Sequence, residues 1–229
     1  MIYVLATSKG WNESMLKRLE ERTSKDFYLV TQKEELTLDH LKQINPRYIF
    51  FPHWSHIIPK EIFETFECVI FHMTDLPYGR GGSPLQNLIE RGHKETKISA
   101  LRCVAELDAG PVYLKRPLSL GGSAFEILLR AADTIEVMIE EILDHEPDPK
   151  PQQGEPVVFS RRTPGQSDLR KAKISNLKDF FDFIRMLDAP TYPKAFLEHN
   201  GFLLEISNAK LLNNSIEASI TIRLKGHIK

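Results

Sequence analysis

Apolar residues in the first half of the chain come in short continuous runs, separated by polar stretches of helical period. Ile2 to Ala6 is apolar and partly β-branched, and after Ser8 and Gly10 the residues Met15, Leu16 and Leu19 fall at helical spacing, so the chain should open as strand, turn and helix. Phe27 to Val30 predicts a second strand, Leu36 to Ile44 a helix, and Tyr48 to Phe51, after Asn45-Pro46, a third strand. Cys68 to Phe71 and Ile98 to Val104 supply a fourth and a fifth. Strands that are apolar at nearly every position need cover on both faces. The pattern therefore predicts the α/β class: an open, mostly parallel, Rossmann-like sheet with helices on both faces. In such sheets active sites gather beyond the carboxyl ends of the strands.

Past Gly121-Gly122, Ser123 is placed to cap a long helix, with Ala124, Ile127, Leu128, Ala131, Ile135, Met138, Ile139 and Ile142 on its apolar stripe. That helix should close a first domain over residues 1–145. The segment EPDPKPQQGEP, residues 146–156, is too rich in Pro, Gln and Gly for a core element and reads as a linker. Residues 157–229 then predict a small α+β C-terminal subdomain: strands at Val157 to Ser160, Phe202 to Ala209 and Ile216 to Leu224, and a helix at Leu177 to Leu187.

Composition narrows the functional classes. A hydrophobic fraction of 41% and a charged fraction of 27% are globular values. No apolar run is long enough to span a bilayer, and the chain begins without a basic leader, which predicts a cytoplasmic protein with no membrane partner. Thirty basic residues against 31 acidic ones argue against a broad phosphate-gripping surface, so no nucleic-acid partner is expected. The most basic stretch, with Arg161, Arg162, Arg170, Lys171 and Lys173, reads as a solvated face. Cys68 and Cys103 lie in strand-like runs and read as free buried thiols. The scattered His40, His53, His56, His93 and His145 have no metal-ligand spacing, so no metal is expected.

The chemistry concentrates in two loops. In CVIFHMTDLPYGRGGSPLQN, residues 68–87, an apolar strand runs into His72 and then into a Pro/Gly-rich loop, which places the imidazole at the strand's carboxyl end. In CVAELDAGPVYL, residues 103–114, Asp108 lies on a tight Gly-Pro turn between two strand segments, where backbone amides can hold a carboxylate. Taken singly, each residue reads more readily as structural than as catalytic.

Together these loops resemble the folate-dependent formyltransferase family. Its first signature is a strand ending Asn-x-His followed by a loop of the form SLLPxxRGxxP, matched here by His72, Leu76-Pro77, Arg80-Gly81 and Pro84. Its second, DxGPV, is matched by Asp108, Gly110, Pro111 and Val112. ERGHKET at 90–96, PRYIFFPHWSHIIP at 46–59 and PTYPKAF at 190–196 resemble further family segments in the expected order. One position departs: Ile70 stands where the family has asparagine, and its side chain cannot donate a hydrogen bond. His53, Ser55 and Asn87 are candidates for a replacement donor, and a folate-binding protein without catalysis is the alternative.

The resemblance implies 10-formyltetrahydrofolate as formyl donor, with His72 and Asp108 catalytic. Trp54, Ser55, His56, Ile57 and Ile58, with Val104, Ala105, Glu106 and Asp108, would frame the pterin, and His53, Arg80 and Asn87 would face the acceptor. In formyl transfer a neutral amine attacks the formyl carbon, so negative charge collects on oxygen and the nitrogen must lose a proton. A protonated His72 would hold the oxyanion, and Asp108 would raise the histidine's proton affinity, directly or through water, and receive or relay the amine proton. The PTYPKAF segment resembles the tail of the family's tRNA and amino-sugar enzymes alike. This tail is shorter than that of the tRNA enzymes and the chain is neutral overall, which makes a nucleotide-linked amino sugar for surface glycans the expected acceptor, methionyl-tRNA or another small amine the alternative, and a homodimer the expected assembly. A formyl-folate hydrolase would carry the same loops.

Overall fold

The computed structural model describes residues 1–190 and 192–226, so Thr191 of the PTYPKAF segment lies outside the described residues. The elements in chain order are β1 (Ile2–Ala6), α1 (Glu13–Thr23), β2 (Asp26–Val30), α2 (Leu38–Ile44), β3 (Ile49–Phe51), α3 (Lys60–Thr65), β4 (Cys68–His72), β5 (Tyr78–Gly81), α4 (Pro84–Glu90), β6 (Glu95–Arg102), β7 (Val112–Ser119), α5 (Ala124–His145), β8 (Val157–Phe159), α6 (Leu177–Arg185), β9 (Ala195–His199), β10 (Phe202–Leu211) and β11 (Ile216–Leu224). By internal contacts the chain forms two compact units. The first comprises residues 1–81, 96–118 and 129–158, and the second 82–95, 119–128 and 159–229.

The large sheet has six strands in the order β2-β1-β3-β4-β6-β7. Pairings of β1 with β2, β1 with β3 and β3 with β4 are parallel. β6 runs antiparallel to β4, with Phe71 opposite Ala100, so the sheet is mostly parallel, as its apolar strands predict. Alternation divides its side chains between two faces. Val4, Ala6, Ile49, Phe51 and Cys68 pack with Leu41 of α2 and Ile62 of α3. Tyr3, Leu5 and Phe50 are buried on the other face. Met15 and Leu19 of α1 and Ile135, Met138 and Ile142 of α5 are fully buried as well. Arg18 of α1 donates to both carboxylate oxygens of Glu136 in α5, at 3.0 and 2.8 Å from Nε. Glu136 is itself buried, and Arg22 Nη1 lies 3.1 Å from Oε1, so two arginines of α1 compensate the buried charge.

In the second unit, Ser123 caps α5 as its sequence predicts: its amide donates to the Glu126 carboxylate at 2.7 Å, and its hydroxyl accepts from the Glu126 amide at 3.3 Å. Asn176 caps α6, accepting from the Asp179 amide at 2.9 Å. β9, β10 and β11 form an antiparallel sheet, and the β10–β11 register breaks between Ser207 and Lys210, where Asn208 takes a positive φ of 52°.

Among the described residues no helix is long and apolar enough to cross a membrane, and no cluster of three or more His, Cys, Asp or Glu residues could hold a metal ion.

Candidate functional site

β4 ends at His72, where the chain leaves the sheet for the Pro/Gly loop, so the imidazole stands at the carboxyl edge of a central strand. The loop contains a cis Leu76-Pro77 bond and turns back through Gly79 and Gly81, both at positive φ. The turn brings the Gly79 carbonyl to 2.7 Å from His72 Nε2. A carbonyl only accepts, so Nε2 must carry a hydrogen and donate it. Nδ1 is then the ring nitrogen outside that bond. It faces Asp108 Oδ2 at 3.5 Å, and both residues are buried. That separation is beyond a direct hydrogen bond and leaves one edge of the ring facing a carboxylate.

Asp108 lies between β6 and β7 at φ 54°, a left-handed conformation that costs a residue with a Cβ on the order of 1–3 kcal/mol and persists only where the surroundings enforce it. Its Oδ2 accepts the Gly81 amide at 2.9 Å, a charge-assisted bond that joins the two signature loops. The sequence predicts a carboxylate held by backbone amides, and this is such an amide. Gly110 follows in the tightest part of the turn: a Cβ there would sit 1.8 Å from the Arg102 carbonyl oxygen. Only glycine lets β6 and the turn approach so closely.

The other predicted site residues fall into distinct settings. Trp54 is half-buried, 5.9 Å from the Phe51 ring and 5.2 Å from His56, with its Nε1 shielded and without a partner. Ser55, His56 and Ile57 are exposed, Ile58 is buried in the core, and the Ser55 amide donates to Ser8 Oγ at 3.2 Å. Val104 is half-buried, whereas Ala105 and Glu106 are exposed. His53 takes φ 53°, its Nε2 has no partner, and burial, with a smaller contribution from the charge of Lys9, pushes its imidazole down to about 4. Ile70, at the asparagine position, packs against the core cluster that also contacts Trp54.

Two of the predicted acceptor-facing residues already have partners. The Asn87 amide nitrogen donates to the carbonyls of Gly82, Ser83 and Ser160, and its oxygen accepts from Arg91 at 2.8 Å, so it holds a turn. Arg80 donates to Glu106 at 2.9 Å and twice to Gln152 Oε1, at 3.1 and 2.9 Å. Gln152 was not singled out by the sequence, because a glutamine in a Pro-rich stretch has no periodicity to expose it. Burial raises the Cys103 thiol to about 11, with the Asp108 charge adding to the effect, and Cys68 is pushed up as well, so both thiols are inert.

An imidazole and a carboxylate thus face each other beyond the central strands of an open α/β sheet. The model described as "Formyl transferase" matches residues 12–147, more than half of the chain, and the chain belongs to that family. A second model, "Methionyl-tRNA formyltransferase, C-terminal domain", matches residues 164–223. The chain is 48% identical to a solved methionyl-tRNA formyltransferase from Clostridium thermocellum, with a TM-score of 0.94, covering 98% of this chain and 99% of that one. The methionyl-tRNA formyltransferase of Sulfurihydrogenibium sp. is 26% identical over 192 residues, 79% of this chain and 60% of that protein. The chain thus spans about three-fifths of the length of that curated relative. A sugar N-formyltransferase from Shewanella sp. shares the fold, with a TM-score of 0.74 at 16% identity over 93% of this chain and 99% of that one.

Proposed function

We propose that the protein transfers the formyl group of 10-formyltetrahydrofolate to the primary amine of a nucleotide-linked amino sugar, with His72 and Asp108 as the catalytic pair. The observation that carries this reading is the approach of His72 Nδ1 to Asp108 Oδ2 at 3.5 Å, at the edge of the sheet where α/β enzymes bind their substrates.

The loops fit the folate. Ile57 on the β3 loop and Leu107 beside Asp108 are 94% and 70% exposed. Covering such side chains with a flat ring system stabilises a complex by about 1.5–3 kcal/mol each at full burial. The unpartnered Trp54 Nε1–H is a donor for the polar edge of that ring system. The donor supplies the formyl group, and the protein supplies position and proton transfer. The amine lone pair forms the new C–N bond, the bond from the formyl carbon to the folate nitrogen breaks, and the amine proton passes through Asp108 to that nitrogen. His72, whose Nε2–H is held by the Gly79 carbonyl, acts as the protonated imidazolium and donates its Nδ1–H to the oxygen on which charge collects. One such donor in a dry site contributes on the order of 3 kcal/mol.

A small acceptor is supported by the fate of the basic stretch. Arg162 pairs with Glu90 at 3.0 Å, and Arg170 pairs with Asp168 at 2.7 Å and with Glu198 at 3.3 Å, so two of the five cations of that stretch are tied to carboxylates and weakened as phosphate contacts. Methionyl-tRNA is the second reading, favoured by the names of the relatives and by the match of residues 164–223. The homodimer and cytoplasmic location expected from sequence belong to the same proposal.

The test is turnover of His72→Ala and Asp108→Ala, each expected to lose about 10²–10⁴-fold in kcat/KM while remaining folded by circular dichroism. Near-normal transfer by either variant overturns the assignment. Release of tetrahydrofolate at the full rate without any amine would identify a hydrolase instead.

A further inference from the structure

The segment between α5 and β8 looks like a linker in sequence, yet it is fastened at both ends and in the middle. Lys150 and Val112 exchange backbone hydrogen bonds at 2.8 and 2.9 Å, which ties the segment to the start of β7. The Val157 amide donates to the Pro77 carbonyl at 3.2 Å, which ties it to the Pro/Gly loop. Between these points, Gln152 donates from Nε2 to the carbonyls of Asp108 and Gly110, at 2.8 and 2.9 Å. Its Oε1 accepts both Arg80 bonds. Every hydrogen of the carboxamide and its oxygen therefore point at one of the two signature loops.

We propose that Gln152 is a positioning residue that sets the distance and angle between Asp108 and His72. The proposal rests on the catalytic reading of that pair. Asp108 is held at a positive φ by two restraints: the Gly81 amide on its carboxylate and the Gln152 carboxamide on its own carbonyl. A residue in that conformation relaxes when a restraint is lost. The Gly81 side is loosened as well, because its neighbour Arg80 is bonded to the same glutamine. Loss of Gln152 removes one restraint from each side of the gap, leaving Arg80 on Glu106 and Asp108 on the Gly81 amide. A displacement of about 1 Å between reacting groups costs up to about 10²-fold in rate.

Two substitutions separate positioning from simple packing. Gln152→Glu keeps an oxygen acceptor for Arg80 but turns oxygens toward the Asp108 and Gly110 carbonyls, whereas Gln152→Ala removes the whole link. Gln153→Glu makes the same change of charge at an exposed neighbour and serves as control. The measurements are kcat, KM for each substrate, the thermal midpoint and the His72 ring resonances by NMR. The expected result for Gln152→Glu and Gln152→Ala is a fall of about 10²-fold in kcat with each KM within about threefold, alongside shifted His72 resonances, the control matching wild type in both. Unchanged kcat and resonances in both Gln152 variants overturn the proposal, as does a loss explained wholly by a smaller folded fraction. If the wild-type protein transfers formyl to no amine, the functional reading fails, and the His72 resonances alone decide the role of Gln152.

Discussion

His53 combines two features that cost folding free energy: a left-handed backbone and an imidazole whose Nε2 is shielded and unpartnered. Burial first, and Lys9 second, lower its titration to about 4 from an ordinary value near 6.5. The native state therefore refuses a proton that the unfolded chain accepts. Stability linked to this group is fully present above about pH 6.5 and is lost as the pH falls toward 4, by on the order of 3 kcal/mol in total. His53→Asn removes the titration with a residue that tolerates positive φ. Urea denaturation between pH 7 and pH 4 should show a shallower acid loss in this variant than in wild type. Parallel curves would mean that His53 takes up its proton in the folded state.

At the scale of elements, the turn between β6 and β7 is tightly constrained. A methyl at Gly110 would meet the Arg102 carbonyl at 1.8 Å, and that strand is bonded back to the turn by the Arg102 amide on the Pro111 carbonyl at 2.9 Å. Gly110→Ala is expected to destabilise the protein by about 1–3 kcal/mol, an overpacking cost, and to lower kcat because the displaced turn carries Asp108. Calorimetry and turnover check this together, and a variant with wild-type midpoint and rate would show that the turn gives way freely. The sequence disclosed β1 to β4 because both faces of those strands are covered, leaving apolar runs with no polar alternation. It pointed to His72 because that residue closes β4 and opens a loop of recognisable turn residues, and to Asp108 because it sits on the Gly-Pro turn between β6 and β7. It did not disclose α4, whose interior holds Gln86 and Asn87, buried through hydrogen bonds to the Met186 carbonyl and to neighbouring turn carbonyls. Nor did it disclose the reversed direction of β6, since an apolar run carries no sign of its pairing sense. Gln152 was invisible for a similar reason: its role comes from where a Pro-rich segment is laid down, and its own neighbours in sequence do not encode that.

For the whole molecule, the distribution of charge bears on which acceptor the proposed transferase takes. Net charge is −1, and Arg162 and Arg170 of the most basic stretch are neutralised by Glu90, Asp168 and Glu198. An acceptor gripped through a polyphosphate backbone needs free cations, and each phosphate neutralised adds close to one unit to the slope of log affinity against log salt. A nucleotide-linked sugar carries two phosphates at most and predicts a shallow slope. Between 50 and 200 mM salt, kcat/KM for such a sugar should change by less than about tenfold, whereas a tRNA gripped at six or more phosphates would lose about 10³-fold or more. Parallel assays with a panel of nucleotide-linked 4-amino-4,6-dideoxyhexoses and with initiator methionyl-tRNA, each across that salt range, separate the two. Efficient formylation of the tRNA with a steep salt slope would overturn the sugar reading and leave the His72–Asp108 chemistry standing, because the same pair serves any neutral primary amine brought to the edge of the sheet.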